Sequence, residues 1–392
     1  MALLTDPDPS WEGPVTHAPQ KGGRHRRVRA RSVLELIALV VALVGVIWLL
    51  TLPAATNSRG ETPGPPPLAE VWPGVAPSSQ PALLADGTIF TPQLYLDAAT
   101  AVGTAPTGNA DQVRVLVRTS GGVRELRRVN AKDFPQFAAF SASGDDVFWA
   151  ESTSPANQAQ HTRLYRANWR TGTRSVLVTA DTGDMVFTES QFDLTVSGGR
   201  LRWVSAEFVT KAVTQVRSVP VGGGTVAISP IDGAYTLSAW PWLVTFGNSS
   251  AAQPELVNVE SSQRVKLTTT PAEVARCSPV WCRIVVLGGD AVPVRIDLQH
   301  PDGSQRHRIA GADTSAVIGD VALLDRFEPL GVARTRADDV GRQLILYDIK
   351  TGRLVDIAPS VDVIRARQGV LWWSTGSGSG LIWHALDLRQ LT

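Results

Sequence analysis

Residues 346–359 read LYDIKTGRLVDIAP. Two runs of alternating apolar and polar residues flank a Lys-Thr-Gly link, the pattern of a half-buried antiparallel hairpin closed by a tight turn. The unit recurs as VRVLVRTSGGVRELRRV (113–129), LYRANWRTGTRSVLVTA (164–180), VRSVPVGGGTVAIS (216–229), LVNVESSQRVKLTTT (256–270), VRIDLQHPDGSQRHRIA (294–310) and, truncated, IWHALDLRQLT (382–392). The turns fall near Gly122, Gly172, Gly223, Ser262, Gly303 and Gly352, so successive turns lie 50, 51, 39, 41 and 49 residues apart. A second element precedes most of these hairpins. It is a polar turn entering an apolar, often Trp-bearing run: SGDDVFWAES (143–152), SGGRLRWVSA (197–206), WPWLVTFG (240–247), CSPVWCRIVVL (277–287) and RQGVLWWST (367–375).

Four strands in each period of about 45 residues is the repeat of a radial array of small sheets. The sequence therefore predicts an all-β domain over 82–392, a seven-bladed β-propeller, with six and eight blades as the neighbouring counts. Three tandem β-sandwiches fit the length but not the period. The last unit lacks a fourth strand, and an open ring would expose an unpaired sheet edge. The chain ahead of the domain is expected to supply that strand. LAEVWPG (68–74) is the favoured source, because Val71 and Trp72 have no use in a solvated linker, and ALLADGTIF (82–90) is the other. This pattern resembles the β-propeller superfamily, in the broad group that includes WD-repeat and TolB-like propellers. The resemblance covers 82–392 and is architectural. The Gly-His…Trp-Asp signature is missing, and Pro301-Asp302-Gly303 sits in an outer hairpin rather than at a blade start. No functional residue carries over from it.

Ahead of the repeats lies a different kind of chain. Residues 21–31 hold Lys21, Arg24, Arg26, Arg27, Arg29 and Arg31, and VLELIALVVALVGVIWLLTL (33–52) follows at once. Twenty residues at about 1.5 Å each cover roughly 30 Å, the thickness of a bilayer core. Glu35 lies four residues after Arg31, where an ion pair at headgroup level offsets its cost, and Pro53 ends the run. The expected organisation is a disordered cytoplasmic tail (1–32), one transmembrane helix (33–53), a Pro-rich stalk (54–81) and the propeller outside. A cleavable signal peptide competes with this reading, but the polar lead is long and Pro53-Ala54-Ala55 is a poor cleavage site. The lipid bilayer is thus an expected partner, with the basic flank Arg24 to Arg31 on the cytoplasmic side. A net charge of +1 argues against nucleic acid. The bias of 32 Arg over 5 Lys fits a GC-rich genome and suggests a bacterial cell membrane.

Chemistry-bearing residues are sparse. Cys277 and Cys282, the only cysteines, flank a Ser-Pro turn and are expected to pair as a disulfide outside the membrane. Their spacing is not CxxC, and no further thiol completes a zinc site. His161, His300, His307 and His384 show no metal-ligand spacing and read as solvated loop residues. Gly-Ser-Gly-Ser-Gly (376–380) places Gly378 where a nucleophile elbow needs serine, and Gly222–Gly224 lacks the lysine of a phosphate loop. No catalytic residue, metal or cofactor is expected. Trp149, Trp203, Trp281, Trp372 and Trp383 are expected to pack blade against blade. Trp169, Trp240 and Trp242 lie nearer turns and are candidates for an aromatic binding surface.

The expected function is a membrane-tethered, non-catalytic binding or scaffold module for an envelope protein or a cell-wall glycan. One alternative is an extracytoplasmic propeller hydrolase or lyase, which needs carboxylates such as Asp145, Asp184, Asp232 and Asp320 to converge at one mouth of the channel. The other is a transmembrane sensor, which needs the tail to bind a partner.

Overall fold

The computed structural model describes residues 64–392 except 157, 173, 209–211, 247–253 and 334–340. The tail, the 33–53 segment with its basic flank, and residues 54–63 of the stalk lie outside the described residues. Among the described residues no helix is long and apolar enough to cross a membrane.

Seven antiparallel sheets form a seven-bladed β-propeller. Blade 1 spans 91–130, blade 2 136–179, blade 3 184–232, blade 4 235–266, blade 5 273–310 and blade 6 314–361; blade 7 combines 364–387 with 78–81. In each blade the chain meanders outward from the inner strand, so the hairpins read from the sequence are the two outer strands. Their turns need a left-handed residue: Gly172, Gly223 and Gly352 have φ of 67°, 94° and 67°, and Ser262 takes the same region at 59°. Among the described residues the apolar core divides into seven clusters, one for each seam between neighbouring blades. Trp149 fills the seam of blades 1 and 2, Trp203 that of 2 and 3, Trp281 that of 5 and 6, and Trp372 with Trp383 that of 7 and 1. Among the described residues the smallest cluster lies between blades 4 and 5, where Leu256, Leu267, Cys277, Cys282 and Ile284 are buried.

The ring is closed by Ser78–Pro81, which pairs antiparallel with the last strand, Ile382–Asp387. This corrects both sequence candidates. LAEVWPG forms a single helical turn, Leu68–Val71, entered from Pro67. Leu68 and Trp72 are buried in the seam of blades 6 and 7, with Trp72 edge-on to Phe327 at 6.1 Å between ring centroids. The apolar pair was thus a core plug. The true closing strand is polar because it lies at the outer edge of its blade and is held through its backbone. Residues 82–90 lead into blade 1 and bury Ala82, Leu84 and Phe90 in the seam of blades 7 and 1. Residues 64–81 therefore belong to the compact propeller unit rather than to a stalk.

Cys277 and Cys282 form a disulfide across the final register pair of the first hairpin of blade 5. Loop-entropy arithmetic for so short a loop gives about 2 kcal/mol. Replacing both cysteines by serine should lower stability by about that amount in denaturant titrations, with reductant having no further effect. Trp72→Ala should cost about 3–5 kcal/mol as a large-to-small core change, measured in the same way.

Candidate functional site

Two inner strands leave their sheets and fill the channel. In blade 3 the inner position is shared by Asp184–Met185 and Thr195–Ser197, and residues 186–194 depart between them. In blade 6, residues 317–326 follow the inner strand Thr314–Ala316 before the second strand begins at Phe327. The two excursions meet across the axis: Asp320 accepts from the Ser190 hydroxyl at 2.5 Å and from the Gln191 amide at 2.9 Å. Arg367, at the end of the inner strand of blade 7, donates to the carbonyls of Ser190 (3.0 Å) and Phe140 in blade 2 (3.2 Å). The neighbouring Gln368 bonds the amide and carbonyl of Ala142 at 3.1 and 2.9 Å. Blades 2 and 3 are thus tied at the centre to blades 6 and 7 on the other side of the ring.

Each excursion is held from its own side as well. Asp193 caps its loop by accepting from the Thr188 amide (2.9 Å) and hydroxyl (2.6 Å). Arg283 is ion-paired with Glu328, both side chains being almost fully buried, and donates to the carbonyls of Ile318, Gly319 and Asp320. Glu328 in turn accepts from the Ala322 amide at 2.8 Å. Burial pushes the Asp320 and Asp193 carboxyls above the usual range and the Arg367 guanidinium below its own, partly countered by their mutual attraction.

The plug leaves a cavity of about 340 Å³ where the seam of blades 4 and 5 meets the channel. Blade 4 has strands of only three or four residues, too short to pack the whole depth of its neighbour. Thr188, Ser190 and Phe192 from the plug form part of the wall, with Thr236, Phe246, Thr269 and Arg276 from the two blades. A second cavity of about 220 Å³, between blades 6 and 7, shares Gly319 and Asp320 with it.

The carboxylates singled out in the sequence are dispersed. Asp145 lies in the first turn of blade 2 and pairs with Arg170 at 2.5 Å, whereas Asp184 lies at the opposite end of an inner strand, in blade 3. Asp232 ends the outer strand of blade 3, and only Asp320 lies in the channel. The three candidate aromatics do not form one face: Trp169 packs at the seam of blades 1 and 2, Trp240 at 3 and 4, and Trp242 at 4 and 5. Trp240 is covered by Arg202, 4.0 Å from its ring, and donates to Glu260 at 3.1 Å; Trp169 carries Arg170 at 4.3 Å.

Two histidines are not the solvated loop residues expected from the sequence. His384 lies on the last strand, stacked on Trp373 and bridging Ser79 and Thr375 at 2.8 Å each, so it clasps the closing strand. His300 stacks on Trp281 at 4.3 Å. The plug was missed from the sequence, although its signal was present. Seventeen residues separate the hairpin ending at Ala180 from the turn at Gly198, and the polar TESQ stretch interrupts an inner strand there.

No protein-family model matches the sequence, and no curated protein matches it. Solved structures do. A puromycin-hydrolyzing peptidase of Mycobacterium tuberculosis superposes with a TM-score of 0.51 at 14% identity, over 82% of this chain and 55% of the peptidase. An oligogalacturonate lyase of Vibrio parahaemolyticus gives 0.48 at 9%, over 80% and 97%. The β-propeller domain of the trilobed protease of Pyrococcus furiosus gives 0.43 at 10%, over 64% and 83%. This chain spans little more than half of the mycobacterial peptidase. At these identities the likeness is no more than one of fold, and it is the seven four-stranded units of its own sheets that make this chain a β-propeller.

Arg367→Met leaves Asp193 and Asp320 without their shared cation and should cost about 3–5 kcal/mol, read from the unfolding midpoint. Burial lowers the His384 pKa below its ordinary value. The unfolded chain then binds more protons as pH falls through the ordinary histidine range, so stability is full above that range and declines below it. In paired unfolding curves at pH 7.5 and 5, His384→Gln should show a smaller loss than the native sequence.

Proposed function

We propose that this protein is a membrane-tethered, extracytoplasmic propeller that binds an envelope protein or glycan without transforming it. The observation that carries this reading is the plug. A channel tied shut by a buried ionic network presents a rigid frame, and the cleft at the seam of blades 4 and 5 is shaped by that frame. The cleft is of the size that small-ligand sites occupy, and its wall mixes polar and apolar side chains. Asp145 and Asp320 are already engaged in structural contacts, which favours binding over hydrolysis. The apolar 33–52 run and the basic residues before it support tethering with the N-terminus in the cytoplasm.

Crosslinking in native membranes, followed by mass spectrometry, should recover a reproducible envelope partner or glycan fragment. Arg367→Met, by loosening the plug, should reduce that recovery severalfold when normalised to the amount of folded protein in the membrane. Turnover of a peptide or polysaccharide by the purified full-length chain would overturn the non-catalytic reading.

A further inference from the structure

A recess of about 460 Å³ opens between blades 3 and 4, and the strand register puts its lining on the two faces that meet there. On blade 3, Val204 and Val216 are buried in this seam and paired with each other. Arg202 and Ser218, the next pair along, lie two residues away and so share their face. On blade 4, Val257 is buried in the same seam and Trp240 packs beside it. Arg202 crosses the seam to lie over the Trp240 ring at 4.0 Å.

Arg202 makes no ion pair and donates no hydrogen bond among the described residues, and its Nε is buried without an acceptor. Burial, and then the neighbouring Arg200, push its pKa down against a smaller pull from Glu260, so its charge is poorly compensated within the chain. The other charges nearby are engaged. Arg200 donates to the Ser218 hydroxyl and carbonyl at 3.1 and 3.0 Å. Arg264 donates to Glu255 at 2.5 Å and to the Tyr235 hydroxyl at 3.2 Å, and Glu260 accepts from the Trp240 indole at 3.1 Å.

A guanidinium presents its terminal N–H groups at one edge, and a carboxylate meets that edge with two parallel hydrogen bonds. The Glu260 carboxylate at the same recess opposes a second negative charge, which favours a carboxylate over a phosphate monoester. The rest of the lining includes Val216, Ile231, Val257 and Val259, an apolar surface shared by the two blades.

We infer that this recess binds a small organic acid, with its carboxylate on the Arg202 guanidinium over Trp240 and its apolar body against Val216, Ile231, Val257 and Val259. The site lies at a different seam from the cleft between blades 4 and 5, so the two readings stand or fall separately.

Cyclohexanecarboxylate and its neutral amide, cyclohexanecarboxamide, test it by calorimetric titration of the full-length chain in detergent. The acid should bind saturably and about tenfold or more tightly than the amide, the increment of one charged hydrogen-bonded contact. Arg202→Gln should abolish that gap and Arg202→Lys should restore part of it, while Ile231→Ala should weaken both ligands and leave the gap in place. Equal affinity for acid and amide overturns the inference, as does acid binding that Arg202→Gln leaves unmoved. Cyclohexyl phosphate binding more tightly than the carboxylate overturns the choice of a singly charged acid. If neither ligand binds and Arg202→Gln lowers the unfolding midpoint, Arg202 is a structural cover for Trp240 and the inference falls.

Discussion

This ring is closed by a junction between the first and last strands of the domain. Here that junction is four residues long, with Ser78–Pro81 laid along Ile382–Asp387. Its backbone ladder is reinforced from the sides: Gln80 donates to the Ala99 carbonyl at 2.9 Å, Arg118 to the Pro81 carbonyl at 2.5 Å, and Trp383 to the Phe90 carbonyl at 2.9 Å. Because every seam packs one blade against the next, losing this junction would free two sheet edges and expose two seam faces at once. The Leu68–Val71 turn and Trp72 fill the seam between blades 6 and 7 just ahead of it, so the chain enters the ring by burying itself.

The second constraint is at the centre. Seven blades leave an axial space, and in this sequence two chain excursions meet there through carboxylates, arginines and backbone carbonyls. Buried arginines and carboxylates are costly to desolvate, and they persist because nearly every one is bonded to several partners. Arg283 illustrates this: it is paired with Glu328 and donates to three carbonyls of one excursion. Such a network specifies one arrangement of the excursions, and hence one shape for the cavity they wall. The same geometry explains why that cavity sits beside blade 4, the smallest blade, where the plug covers a seam that side chains alone fill poorly.

Much of the fold was legible because propeller blades are local. Each hairpin, such as 346–359, pairs residues close in sequence, and a fixed period reports the repeat without knowledge of the whole. The disulfide was legible for the same reason, since only one tight turn separates Cys277 from Cys282. The closing strand is not legible because it carries no apolar character, which in this region belongs to LAEVWPG. An edge strand is held by backbone hydrogen bonds, which leave little trace in composition, and SSQP reads as linker until its partner is known. The aromatics Trp169, Trp240 and Trp242 read alike in the sequence, yet tertiary packing sends each to a different seam.

The sequence by itself determined the all-β repeat, the blade count, the disulfide, and the apolar segment with its basic flank, since all four follow from local pattern and short-range spacing. Only the tertiary structure decided which strand closes the ring and that residues 186–194 and 317–326 cross the channel. Those features depend on contacts between residues as far apart as Ser190 and Asp320, or Ser79 and His384. Their energy comes from shape and burial after the ring has closed, and no local pattern encodes it.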